Sequence, residues 1–96
     1  MLTTSIEHHI NCNQIILKGK PLTDPDFNPL IDVVEELIDN GEANIILNLE
    51  HLQVLNSLGI KNLIKVMTKS RNAGGDLYIV NISDKISQVL VLTKLN

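Results

Sequence analysis

The chain has 96 residues, 44% of them apolar and 20% charged, which gives room for one domain around one hydrophobic core and argues against low-complexity disorder. Phe27 and Tyr78 are the only aromatic residues, so the core must be built from Ile, Leu and Val, and the aromatic platforms on which single strands or sugars stack are missing. A net charge of −3 lacks the basic footprint that phosphate backbones require, so nucleic acid is not an expected partner.

Cys12 stands alone, without CxxC or Cys/His metal spacing, so no disulfide, metal or cofactor is expected. The N-terminal stretch MLTTSIEHHI has no basic start followed by an apolar run, and no segment approaches the ~20 apolar residues that span a bilayer. A cytoplasmic chain with no membrane partner is the expectation.

In chain order, residues 4–18 read as a hairpin of two short strands. Ile6, His8 and Ile10 alternate, the polar turn Asn11-Cys12-Asn13 follows, and then Ile15-Ile16-Leu17. A punctuated stretch, Lys20 to Asp26, leads into a helix. Asp24 or Asp26 serves as its cap, and Pro25 or Pro29 suits the first turn. Phe27, Leu30, Ile31, Val34, Leu37 and Ile38 form its apolar stripe, and Asn40-Gly41 its left-handed stop. The aliphatic run from Ala43 to Leu49 predicts a strand covered on both faces.

After a connector of unassigned conformation, Glu50 to Leu55, a second helix starts at Asn56 or Ser57. Its predicted core stripe is Ile60, Leu63, Ile64 and Met67, and Ala73-Gly74-Gly75 ends it. Leu77 to Ile82 is a further strand, and Ser83 caps a third helix carrying Ile86, Val89 and Leu90, with Leu92 and Leu95 closing the chain. The order β-β-α-β-α-β-α, with helix-length links between the later strands, predicts a mixed sheet with helices packed on it over residues 1–96.

Several phrases resemble the STAS domain of bacterial anti-sigma factor antagonists. An aliphatic strand ends in Asn48-Leu49-Glu50-His51-Leu52, where the family has a "D/N-L-x-x-L" phrase. Asn56-Ser57-Leu58-Gly59 stands where it has "D-S-S/T-G" at a helix start, and Ala73-Gly74-Gly75 forms the Gly-rich turn before the next strand. Gly19 and Leu22 match the family's "G-x-L" connection in position, though not in detail. The resemblance implies a non-enzymatic regulator that binds an anti-sigma factor which is also a serine kinase, and that is released when the kinase phosphorylates the serine here numbered Ser57. Partner contacts are implied at Asn56, Ser57, Leu58, Gly59, Lys61 and Lys65.

Two departures stand out. Asn56 replaces the family's acidic residue, keeping the capping capacity while removing a charge, and Leu58 replaces the second hydroxyl residue. Leu58 falls opposite the predicted core stripe, near Lys61, Lys65 and Lys69. The bland readings are a capping serine at Ser57, a half-buried Leu58 and two solvated helix faces. An alternative function keeps the fold but makes the chain a constitutive subunit, for example of a lipid-transport ATPase or a signalling scaffold. Another is a binding module with an aliphatic pocket. His8 and His9, adjacent on a strand, point to opposite faces and make a poor metal pair. No carboxylate pair, Ser/His/Asp order or phosphate-cradling glycine loop supports an enzyme.

Overall fold

The computed structural model describes residues 2–82. Four strands and two helices follow the expected order: β1 Leu2–His8, β2 Asn13–Gly19, α1 Asn28–Asp39, β3 Ile45–Leu52, α2 Ser57–Asn72 and β4 Leu77–Val80, with a single 3-10 turn, Asp24–Phe27, leading into α1. The predicted third helix, with its cap at Ser83, lies outside the described residues.

The sheet is mixed, in the order β1-β2-β3-β4. β1 and β2 pair antiparallel in unbroken register from Leu2↔Gly19 to His8↔Asn13, whereas β2–β3 and β3–β4 are parallel. The turn begins earlier than the alternation suggested. β1 stops at His8, the turn closes with the His9 N–H on the Cys12 carbonyl at 2.9 Å, and Ile10, expected on the strand, is 99% exposed at its tip.

The core lies between the helices and one face of the sheet. Ile15 and Leu17 of β2, Ile45, Leu47 and Leu49 of β3 and Leu77 of β4 meet Phe27, Leu30, Val34 and Leu37 from the α1 region and Ile60, Leu63 and Val66 from α2. Of β3, expected to be covered on both faces, the helix-facing residues are fully buried, and on the opposite face, among the described residues, Asn48 is buried. Ile46 is half-buried, as are Ile16 and Val80 on the same side.

β3 also runs on to Leu52, through residues the sequence left unassigned. The β2–β3 register slips between Ile16↔Asn48 and Lys18↔His51, so one residue of β2 faces two of β3. The Glu50 N–H at this bulge donates to Asn48 Oδ1 at 2.9 Å. The asparagine side chain thereby stands in for a ladder carbonyl, which is a physical reason for Asn at this place in the motif.

Entry into α1 differs in detail from the expectation. Thr23, not an aspartate, is the N-cap of the 3-10 turn, and Asp26 reaches back to accept from the backbone N–H of Leu22 (2.9 Å) and Thr23 (3.1 Å). Gly41, at φ +78, supplies the left-handed stop after α1. Gly75 is required by space, since a Cβ there would lie 2.2 Å from the Ala43 carbonyl oxygen.

Candidate functional site

The first turn of α2 stands beyond the carboxyl ends of the parallel strands, the usual place for function in open α/β sheets. Asn56, in extended conformation, is its N-cap, with Oδ1 accepting from the Gly59 N–H at 3.0 Å. Ser57 is therefore the first helical residue and is exposed. This corrects the reading of Ser57 as a capping serine: the cap is Asn56, so the Ser57 hydroxyl is not needed to close the helix.

Two asparagines tie this turn to the chain before α1. Asn56 Nδ2 donates to the Leu22 carbonyl at 3.4 Å. Asn62, a buried residue, donates through Nδ2 to the Leu58 carbonyl (2.8 Å) and to Asp24 Oδ1 (3.0 Å). The result is a surface on which Leu22, 53% exposed, and Leu58, 36% exposed, are held in the same region as Ser57. From the sequence Leu22 was noted only as part of the G-x-L connection, and Asn62 was not noted at all. The signal for Asn62 was a polar residue next to Leu63, in register with the core face, and it was masked by the stronger aliphatic periodicity.

The helix sits rotated from the predicted wheel. Ile64, expected in the core, is 46% exposed, while Gly59, Asn62, Val66 and Ser70 turn inward. Close approach at Gly59 gives the cause. A Cβ there would lie 2.5 Å from Leu55 Cδ1 and 3.1 Å from Phe27 Cζ, so only a glycine lets the first turn seat against these side chains. Gly59 is consequently a packing residue beneath the surface and presents no side chain to a partner.

Lys61 and Lys65 are exposed and border a shallow groove of about 230 Å³ between α2 and the start of α1, with Asp24, Pro25, Asn28, Ile31 and Asn62 as its other walls. Lys69 instead turns to α1 and pairs with Glu35 at 3.3 Å. The first turn of α2 holds no acidic residue, and its last turn holds Lys69 and Arg71. The positive end of the helix dipole, with Lys61 next to it, thus meets no opposing carboxylate from its own first turn.

Elsewhere, the Asp26 carboxyl is held below its usual value chiefly by the Leu22 and Thr23 N–H donors. Asp76 is lowered likewise by the Leu77 N–H and by Arg71, which lies 3.3 Å away. His8 is exposed, with Nδ1 hydrogen-bonded to Asn13 Oδ1, while Asn13 Nδ2 donates to Glu42 Oε2. Cys12 is half-buried in the hairpin turn. Among the described residues no group of three or more His, Cys, Asp or Glu side chains is placed to hold a metal, and no helix is long and apolar enough to cross a membrane.

The chain is an α/β domain with an exposed serine at a helix start, near exposed leucine and lysine side chains. The STAS-domain family model matches residues 7–96, and the chain belongs to that family. Solved structures with the same fold include an anti-sigma factor antagonist from Mycobacterium paratuberculosis (TM-score 0.80, 19% identity, 99% of this chain and 80% of that one). The Bacillus cell fate determinant SpoIIAA in its phosphorylated form matches with a TM-score of 0.75 at 21% identity, over 97% of this chain and 85% of that one. The anti-sigma factor antagonist SpoIIAA in its unphosphorylated form gives 0.70 at 17%, over 94% and 83%. Comparison with curated proteins gives no match.

Proposed function

We propose that this protein is a non-enzymatic anti-sigma factor antagonist of the cytoplasm. It binds an anti-sigma factor that is also a serine kinase, and it is released by phosphorylation of Ser57. The observation that carries this reading is the exposed Ser57 at the first position of α2, relieved of capping by Asn56 and flanked by the exposed Leu22, Leu58, Lys61 and Lys65. The fold shared with antagonists, one of them captured phosphorylated, supports it.

The switch follows from charge. A phosphate brings roughly −1.5 to −2 charges, and a helix start with no acidic residue in its first turn accepts them readily. A partner seated over the same turn would have to dehydrate that dianion. A loss of ~2–3 kcal/mol weakens binding by roughly 30- to 150-fold. Leu22 and Leu58 supply apolar contact, and Lys61 and Lys65 steer an acidic partner surface.

The test pairs this chain with the anti-sigma kinases of its own cell. One of them should bind the wild type and Ser57→Ala, bind Ser57→Asp at least 30-fold more weakly, and phosphorylate Ser57 alone. Equal binding by all three forms would refute the switch. If that came with ATP-insensitive co-purification with an ATPase subunit, it would favour the constitutive-subunit reading, to which the departures at Asn56 and Leu58 lean.

A further inference from the structure

Among the described residues β1 is a long edge strand with no neighbour on its outer side, and Glu7 is its one carboxylate. β1 pairs with β2 over seven residues without a bulge, and it contains no proline and no lysine. Those are the usual devices that keep an edge strand from pairing with another chain. By contrast β4 is four residues long and is followed at once by Asn81 at φ 55, a backbone turn that ends a strand.

The direction of the free backbone groups follows from the turn. His9 and Cys12 form a hydrogen-bonded pair, the N–H of His9 donating to the Cys12 carbonyl. Alternation along an antiparallel ladder then makes Glu7, Ser5 and Thr3 the residues that bond to β2. The N–H and C=O groups of Leu2, Thr4, Ile6 and His8 point away from the sheet. The side chain of Ile6 lies on the helix-covered face, opposite Ile15, and yet is 38% exposed because β1 is the last strand.

We propose that β1 pairs with β1 of a second copy of this chain, antiparallel about a two-fold axis at Ser5, to form a continuous eight-stranded sheet. The strand is self-complementary in that register. Thr4 and Ile6 of one copy face Ile6 and Thr4 of the other in hydrogen-bonded pairs that use the free backbone groups, and Leu2 faces His8. Thr3 faces Glu7 and Ser5 faces itself, so no like charges oppose. An axis at Ser5 pairs all seven residues of the strand, whereas moving it to Thr4 or Ile6 pairs five and moving it to Thr3 or Glu7 pairs three, the last with Glu7 against Glu7, so the centred register is preferred. The Ile6 side chains gain β-branched neighbours across the new ladder. α2 packs against β4, the strand at the opposite edge of the sheet.

Sedimentation of the full chain from micromolar to millimolar concentration tests this, with Cys12→Ser as background. The wild type should approach twice the 10.7 kDa of the monomer. Ser5→Lys, at an exposed position, places two ammonium groups across the axis and should return the mass to 10.7 kDa with an unchanged circular dichroism spectrum. Thr4→Pro removes an outward N–H and should do the same. If Thr4→Pro unfolds, Ser5→Lys still decides. On oxidation Ser5→Cys should cross-link to itself efficiently and Thr3→Cys should not, which reads the register. A monomer at every concentration would overturn the proposal, even if the edge accepts a strand of another protein. So would a dimer indifferent to Ser5→Lys, or a cross-link that favours position 3.

Discussion

At the scale of single residues, the glycine of the Asn56-Ser57-Leu58-Gly59 phrase is explained by space. A methyl group at Gly59 would press on Leu55 Cδ1 at 2.5 Å and on Phe27 Cζ at 3.1 Å. The Leu55 terminus can yield, so Gly59→Ala should lower stability by about 1–3 kcal/mol in chemical denaturation and tilt the Ser57 turn without unfolding the chain. At Gly75 the obstacle is the Ala43 backbone at 2.2 Å, which cannot rotate aside. Gly75→Ala should therefore cost more than Gly59→Ala in the same experiment, and an equal or smaller cost would contradict the packing. Asn62 presents the opposite case, a polar side chain inside. Asn62→Ala leaves Asp24 without its amide donor and should cost about 1–3 kcal/mol. Hydrogen exchange should then speed up in both the 22–26 turn and the first turn of α2.

At the scale of elements, α2 carries its charges unevenly. Its C-terminal turn is well matched to the dipole by Lys69 and Arg71, while its first turn holds no carboxylate. Ser57→Asp should raise the melting temperature slightly, in line with the ~0.3–1 kcal/mol of a carboxylate at a helix start. Loss of partner binding together with raised stability would show a switch that acts through the surface. Loss of both would show unfolding instead. The same helix contains Ser70, fully buried, whose Oγ has no hydrogen-bond partner among the described residues. Ser70→Ala removes a desolvated hydroxyl and no bond, so it should be neutral or stabilising in a thermal melt.

At the scale of the whole molecule, stability should depend on acid through Asp26 and Asp76. Both carboxyls are held below their ordinary value in the folded state because backbone N–H groups, and for Asp76 also Arg71, favour the charged form. A depressed folded value means the stabilisation is present in full above the unfolded value and is lost as pH falls through the folded one. The loss thus lies in the range below about pH 4 to 5. Asp26→Asn should flatten the acid limb of a stability–pH curve while leaving the neutral plateau lower. An unchanged acid limb would show that the turn before α1 does not hold its carboxylate as described.

Much of this architecture was legible in the sequence because local rules and burial agreed. Short aliphatic runs gave β2 and β3, the period-3.6 stripe of Leu30, Val34 and Leu37 gave α1, and Asn40-Gly41 and Ala73-Gly74-Gly75 marked the stops. The Ser57 turn was found because Asn, Ser and Gly are set at fixed spacing at a helix start. Other features depended on contacts between distant parts of the chain. The rotation of α2 that exposes Ile64 is decided by Phe27 and Leu55 meeting Gly59 and by Asp24 reaching Asn62, partners 32 and 38 positions apart for Phe27–Gly59 and Asp24–Asn62. The extension of β3 to Leu52 rests on a bulge against β2, and the exposure of Leu22 beside Ser57 rests on Asn56 binding its carbonyl. Periodicity and capping are properties of neighbouring residues, so the sequence by itself determined the elements, their order and the serine turn. Which face each element buries, and which residues surround that serine, was decided by packing between segments far apart in the chain, and only the tertiary structure holds those contacts.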